Sequence, residues 1–375
     1  MSGIYFHIPF CKQACHYCDF HFVTSLRHKE KLLEMMQKEV RLRKQFFPTT
    51  QALQSVYFGG GTPSLLEAKD IAGLLKTVRK YFTLAPKAEI TLEANPDDLT
   101  EDKLRQFWEI GINRLSIGIQ SFDEQVLKFM NRSHSAAEAR ACVERARAVG
   151  FNRLSLDLIY AYPNSTIAAL EKDLDIAINL GIDHLSAYTL TIEPKTAFGN
   201  ALKKGRLQEL EEDLAAEQFS FLVEKLEKAG FEQYEISNFA KNGAYAVHNT
   251  AYWQEKPYLG IGASAHSYDG KERFVNFDNN HKYMTALEKG EKPYSIETLS
   301  PQERLNDYIL TSLRTIWGTD LVKIKNQWHY DLYQKNFNLL SSYQKQNLLT
   351  FDKTSIKLTK AGRLLADEIA WRLFW

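Results

Sequence analysis

Three cysteines, Cys11, Cys15 and Cys18, fall within eight residues, while the fourth of the chain, Cys142, stands far away. Such a set is no disulfide framework, and clustered thiols in a reducing compartment are more often metal ligands than bridge partners. Two metal chemistries are open to them. A tetrahedral zinc site would need a fourth donor, which His7, His16 or His21 could supply. A cubane iron–sulfur cluster would use the three thiolates on three irons and leave the fourth iron open to an exchangeable ligand.

Other residues of chemical interest stand at regular places along the chain. Val56-Tyr-Phe-Gly-Gly-Gly-Thr-Pro-Ser64 closes an apolar run with three glycines, which let backbone groups approach a charged ligand without Cβ interference. Glu93, Gln120 and Asp157 each stand at or near the end of a further apolar run, where a polar side chain faces a cavity or simply caps the following loop. Arg132 has the shape to grip a carboxylate, and its alternative is an ordinary surface arginine.

The elements that must position these residues follow from pattern. Segments 4–8, 55–58, 89–93, 113–119, 152–160 and 184–190 are short, apolar or alternating, and read as strands. Helical periodicity covers 29–46, 65–82, 100–109, 136–149, 167–180 and 210–229. This alternation predicts an α/β fold with a parallel sheet. A degenerate repeat reinforces it: Gly111-Ile-Asn-Arg-Leu-Ser116, Gly150-Phe-Asn-Arg-Leu-Ser155 and Gly181-Ile-Asp-His-Leu-Ser186, with Gly230-Phe-Glu-Gln-Tyr-Glu235 as a weaker copy. In each, a glycine ends a helix in the left-handed region and a strand follows. Successive βα units wind into a full or partial barrel whose C-terminal strand ends carry the chemistry.

Three regions are expected: a barrel over 1–240, a connecting segment over 241–299 read as functional loops, and a mainly helical, winged-helix-like region over 300–375. In the last, helices near 301–316 and 329–346, a hairpin over 348–358 and a final helix from Thr359 make the pattern. That region carries eleven Lys/Arg against seven Asp/Glu. Over the whole chain of 375 residues, however, 47 basic and 46 acidic residues leave a net charge of +1, so no global field draws it to nucleic acid, and none is expected as a partner. With 44% hydrophobic and 25% charged residues, disordered and collagen-like classes are excluded. No run of eighteen apolar residues and no secretory signal pattern is present, so a cytoplasmic protein without a transmembrane segment is expected.

The cysteine spacing after a first strand, with Tyr17 before the third cysteine, resembles the radical S-adenosylmethionine superfamily. Together with Tyr5-x-His-Ile-Pro-Phe-Cys11, the glycine run, Glu93, Gln120, Arg132 and Asp157, the chain resembles throughout its length the oxygen-independent coproporphyrinogen III oxidase family. The resemblance implies a [4Fe-4S] cluster on Cys11, Cys15 and Cys18. It also implies S-adenosylmethionine held by Tyr5, Tyr17, Gly60, Gly61, Thr62, Glu93, Gln120, Arg132 and Asp157, with Tyr17 near the adenine and Gly60, Gly61 and Thr62 at the methionine amino group. An electron donor such as flavodoxin or ferredoxin is compatible with it.

Within that family the chain is more similar to the haem-chaperone branch than to the true oxidases. Phe20 stands where the oxidases carry a fourth cysteine, their long extension ahead of the cluster has no counterpart before Cys11, and His248-Asn-Thr-Ala-Tyr-Trp253 matches the branch's His-Asn-x-x-Tyr-Trp motif. The implied activity is to bind haem and deliver it to a recipient, respiratory protein; the alternative is oxidative decarboxylation of a porphyrinogen. Imidazole is a common axial ligand of haem iron and aromatic rings stack on its macrocycle, so His248, Tyr252 and Trp253 are the candidate haem contacts. The same motif could instead be a hydrogen-bonded histidine with aromatics filling a domain junction. His266, in Gly260-Ile-Gly-Ala-Ser-Ala-His-Ser267, is the alternative ligand. Ala161-Tyr162-Pro163 departs from the family's usual Gly-Leu-Pro.

Overall fold

Strand and helix do alternate, and the reason is visible in the local chemistry. In the computed structural model, which describes residues 2–375, Ser135 caps the helix Ala136–Val149 by accepting from Glu138 N–H, and the Glu138 side chain reciprocates. Gly150 then ends it at φ +117°, and Gly111, Gly181 and Gly230 repeat the device at +99°, +68° and +85°. Each glycine turns the chain straight into the next strand or its approach.

The strands are β1 (Gly3–Ile8), β2 (Leu53–Gly60), β3 (Leu84–Ala94), β4 (Arg114–Gln120), β5 (Arg153–Tyr160), β6 (His184–Thr189), β7 (Glu232–Gln233), β8 (Asn238–Ala240), β9 (Tyr258–Ile261), β10 (His266–Tyr268), β11 (Glu272–Asn276) and β12 (Tyr294–Thr298). They form one sheet in the order β12-β11-β10-β9-β1-β2-β3-β4-β5-β6-β8-β7. From β9 to β6 every pairing is parallel, and antiparallel strands flank this centre on both sides. Because β12 and β7 end the order and do not pair, the barrel is partial. In its core Phe6, Phe58, Leu92, Ile117 and Leu156 from the parallel strands pack with Leu32, Met36, Leu74 and Phe107 from the helices.

Several expectations are corrected. The stretch 241–299, read as loops, contains the helix Val247–Trp253, strands β9 to β12 and the helix Asn280–Lys289, and it extends the main sheet through the pairing of Gly3 with Tyr258. Its strands are three to five residues long, too short to show periodicity. The helix expected from residue 65 begins at Ala68, after a single turn opened by Pro63, and the one expected to reach 46 ends at Leu42. Short helices at Glu124–Phe129 and Ala197–Lys203 were not foreseen.

Beyond residue 300 a second core gathers Leu305, Ile309, Ile324, Leu340 and Ile356. Here β13 (Thr319–Asp320), β14 (Leu349–Phe351) and β15 (Ser355–Leu358) pair in the order β13-β15-β14 behind helices Pro301–Leu313, Leu321–Trp328 and Leu332–Lys345, a winged-helix arrangement. The second of these helices has no counterpart in the sequence reading, which places nothing between 316 and 329; His329 ends it at φ +53°, and the helix expected over 329–346 begins at Leu332. This unit leans on the rest of the chain through Arg273–Asp307 (2.7 Å), Lys323–Glu255 (3.0 Å) and the Arg314 guanidinium over the Trp253 ring (5.6 Å). No helix among the described residues is long and apolar enough to cross a membrane.

Candidate cluster and cofactor site

The loop after β1 is tied down at both ends and along its length. Val23 N–H donates to Pro9 O (2.7 Å) and Cys11 N–H to Val23 O (3.1 Å), which closes the loop on itself. Asn131 donates to Ala14 O (2.8 Å), and His16 binds the turn after the helix Glu124–Phe129 through its backbone (to Met130 O, 3.0 Å) and its ring (Phe129 O, 2.9 Å). Lys12 pairs with Asp97 (2.8 Å) and Asp98 beyond β3. The thiols are therefore held at the C-terminal mouth of the parallel strands, as a barrel site requires.

There they line one cavity of about 350 Å³ together with Tyr17, Gly60, Gly61, Thr62, Glu93, Gln120, Arg132 and Asp157. All the residues assigned to cluster and cofactor share this wall except Tyr5, which lines a neighbouring cavity, its ring stacked on Tyr57 (6.0 Å) and its hydroxyl on His7 (3.2 Å). Residues the sequence reading missed also line it: Asn95 and Ser116, and Tyr188 to Thr191 at the end of β6. The rule that found Glu93, a polar residue at a strand end, would have found Asn95, Thr189 and Thr191 as well, but not Ser116, which lies early in β4.

Each wall residue has a physical cause for its place. A Cβ on Gly61 would lie 2.8 Å from the carbonyl oxygens of Ile8 and Phe10 and 3.0 Å from Cys11 Sγ, so only glycine lets the second loop approach the thiols. Gln120 adopts φ +68° where the β4–β5 register slips, a strained turn that aims its amide at the cavity. Arg132 donates to Asn95 Oδ1 and Gly118 O (both 2.7 Å), to Cys15 Sγ (3.2 Å) and to Tyr17 OH (3.3 Å), while its buried Nε has no protein partner. Thr62 Oγ1 donates to Cys11 Sγ (3.5 Å). Both donors point at the sulfurs, an arrangement that favours the thiolate over the thiol.

Burial pushes the Cys11 thiol up and the Cys18 thiol to about 11, so holding them as thiolates requires a compensating cation. Burial also raises Glu93 to about 7, with Asp157 adding to it, against hydrogen bonds from Tyr57 OH (2.7 Å) and Gly60 N–H (3.1 Å). Asp157 is raised likewise by burial and accepts from Ser116 (3.3 Å). Two carboxyls so destabilised as anions are matched to a cationic ligand.

The zinc alternative finds no support in this geometry. Among the described residues no three His, Cys, Asp or Glu side chains converge on a single-ion site. His7 uses both ring nitrogens, on Tyr5 OH and His21 O, His16 faces Phe198, and His21 binds Asn280 (2.9 Å). Three thiols spread around one cavity fit a multi-iron cluster, whose ligated atoms are themselves spread apart.

The motif His248 to Trp253 is not a loop, and its histidine does not face solvent. It forms the helix Val247–Trp253, whose first amides donate to the buried Glu89 carboxylate (3.1 and 3.2 Å). His248 lies at the N-terminal ends of β1 and β2, 2% exposed, with Nδ1 on Ser55 Oγ and Nε2 on Tyr252 OH (both 2.8 Å). Burial, with Arg114 nearby, lowers its pKa to about 3, so it is neutral. Its ring stacks on Tyr57 (5.1 Å), and Trp253 turns away to meet Arg314.

A parallel partial barrel with three thiols at its mouth defines a class, and the comparison agrees: the model of the radical SAM superfamily matches residues 5–177, and that of the HemN C-terminal domain residues 299–365. Superfamily membership implies a [4Fe-4S] cluster and S-adenosylmethionine. The chain is 34% identical to "Heme chaperone HemW" of Bacillus subtilis, covering 98% of both chains. It is 38% identical to the mouse mitochondrial "Radical S-adenosyl methionine domain-containing protein 1", covering all of this chain and 84% of that one. Its structure matches Escherichia coli HemN, a coproporphyrinogen III oxidase described as a radical SAM enzyme, with TM-score 0.84 and 25% identity over 100% and 90% of the two chains. The chain belongs to the HemW family.

Proposed function

We propose that this protein carries haem to a recipient protein, using a [4Fe-4S] cluster on Cys11, Cys15 and Cys18 with S-adenosylmethionine beside it. The recipient is a haem protein, of respiration in our reading, and the setting a reducing cytoplasm in which the free thiols persist. The observation that carries the reading is the full-length similarity to proteins named haem chaperones, joined to Phe20 at the position of the oxidases' fourth cysteine.

When bound, such a cluster supplies an open iron and a transferable electron. The chain's own residues do the rest. Gly61 would admit the cofactor's methionine end close to the thiols, Thr62 and Arg132 orient Cys11 and Cys15, and Glu93 and Asp157 on the same wall would attract its positive charge. Tyr17, held by Arg132, gives the adenine an apolar face. The winged-helix unit braces the barrel, and nothing in our reading gives it a nucleic-acid partner.

Anaerobically reconstituted protein titrated with haem should develop a saturable Soret band. The same protein given coproporphyrinogen III, S-adenosylmethionine and a reductant should leave the substrate unchanged. Decarboxylated product without haem binding would replace this reading with that of a HemN-like oxidase, which the similarity to the E. coli enzyme structure also accommodates.

A further inference from the structure

A second cavity, about 390 Å³, adjoins the first and is within the ~300–1,000 Å³ range of small-molecule sites. Phe20 lines both cavities and is 70% exposed, the most exposed large apolar side chain of the chain's described residues. An aromatic ring left in water at the partition between two cavities is matched to a flat apolar ligand that covers it. The opposite wall is aromatic too: Tyr252 and Tyr258 meet edge to face at 4.4 Å.

Three histidines reach this cavity, and they differ in what their nitrogens are doing. His7 has both engaged, and His21 has Nε2 on Asn280. His266, on β10, is exposed, and only burial and the charges of Arg273 and Glu297 act on it, with no hydrogen bond to either nitrogen among the described residues. The backbone beneath it is closely packed. A Cβ on Gly260 would fall 2.0 Å from His266 O, so β9 and β10 meet with no slack. The turn between them is pinned by the buried Glu39, which accepts from Gly262 N–H (3.0 Å), Asn276 Nδ2 (2.9 Å) and Tyr283 OH (2.6 Å). The buried Arg43 guanidinium, 3.5 Å away, and these three donors offset the burial of the Glu39 carboxylate; together they hold the turn that leads to His266.

We propose that haem seats in this cavity, against Phe20 and Tyr258, with His266 as an axial ligand of its iron, while His248 stays inside the barrel as part of its packing. The assignment rests on the haem-carrier reading and places the iron ligand outside the His-Asn-x-x-Tyr-Trp motif. His248 lacks a free nitrogen and lies behind Tyr252, so ligating iron would require breaking both its hydrogen bonds and opening the helix Val247–Trp253. His266 requires neither.

The test is a haem titration of reconstituted full-length protein, wild type beside His266→Ala, His266→Met and His248→Ala, with iron and sulfide content checking that each variant holds its cluster. His266→Ala should bind haem at least tenfold more weakly with a displaced Soret band, and added imidazole should restore the wild-type band. His266→Met keeps a ligand of similar length and should give a different ferric spin state, a change that loss of packing alone would not produce. His248→Ala should keep the wild-type Soret position. Wild-type spectra in both His266 variants, or loss of the band confined to His248→Ala, would overturn the assignment and leave the carrier reading intact. Absence of haem binding by the wild type would overturn the carrier reading itself.

Discussion

Replacing Glu93 by Gln should stabilise the protein at alkaline pH while damaging its cofactor site. The carboxyl is raised from 4.5 to about 7 by burial and by Asp157. A group whose folded pKa lies above its unfolded one holds its proton longer in the native state, so native stability falls as pH rises between the two values and stays low above them. At about 1.4 kcal/mol per pH unit the full loss is about 3 kcal/mol, of which about 2 kcal/mol falls between pH 5.5 and pH 7. Because Glu93 lines a cavity that admits water, this is an upper value. The amide keeps the bond from Tyr57 and gives up one of about 1 kcal/mol from Gly60 N–H. The net expectation is a variant about 2 kcal/mol more stable than wild type at pH 8, with the two converging towards pH 5.5. Anaerobic urea unfolding of the cluster-loaded protein without S-adenosylmethionine, at both pH values, measures it. Adding the cofactor should then stabilise wild type only. Parallel pH dependences, or a glutamine variant weaker at pH 8, would refute the idea that this site stores an unfavourable charge for its ligand.

Three further outcomes are expected. Cys15→Ala should lose most cluster iron and sulfide after reconstitution, whereas Cys142→Ala, whose buried thiol only donates to Ala139 O (3.3 Å), should keep a full complement and lose roughly 1 kcal/mol of stability. Gly61→Ala should lower iron incorporation, because its Cβ must displace two carbonyl oxygens and Cys11 Sγ; unchanged loading would show that the two loops are not packed as described. S-adenosylmethionine should alter the electron paramagnetic resonance spectrum of the reduced cluster, and Tyr57→Phe should weaken its binding about three- to tenfold by removing the 2.7 Å donor to Glu93.

The parallel centre of the fold was legible because its signals are local. The glycines at 111, 150 and 181 and the Ser135 cap decide where helices stop and start without reference to distant chain. The thiol loop and the strand-end residues Glu93, Gln120 and Asp157 follow from the same βα rhythm, and the structure brings them to one wall. What escaped is what depends on distant partners. β9 is a strand because β1, more than 250 residues earlier, offers it an edge, and nothing within Tyr258–Ile261 announces that. His248 reads as an available imidazole until Ser55 and Glu89, from two other strands, are seen to hold its ring and its helix. Tyr5 misses the thiol cavity because Tyr57, its partner on the same face of the neighbouring strand, stacks on its ring and is the one whose hydroxyl reaches Glu93.

The insertion of β1 between β2 and β9 also dictates an order of events on the ribosome. Everything lining the thiol cavity lies between residues 11 and 191, so a nascent chain of that length already contains the whole cofactor site. The histidine-lined cavity needs Tyr252, Tyr258 and His266 and closes only when β9 reaches back across the finished sheet, a late contact of high loop-closure entropy. Until then the outer edge of β1 is an open row of backbone donors and acceptors, the kind of template on which chains pair wrongly. Cluster insertion while translation continues would rigidify the loop that follows β1 and leave that edge preorganised for β9, so synthesis under iron starvation should yield more aggregated chain than synthesis in iron-replete cells.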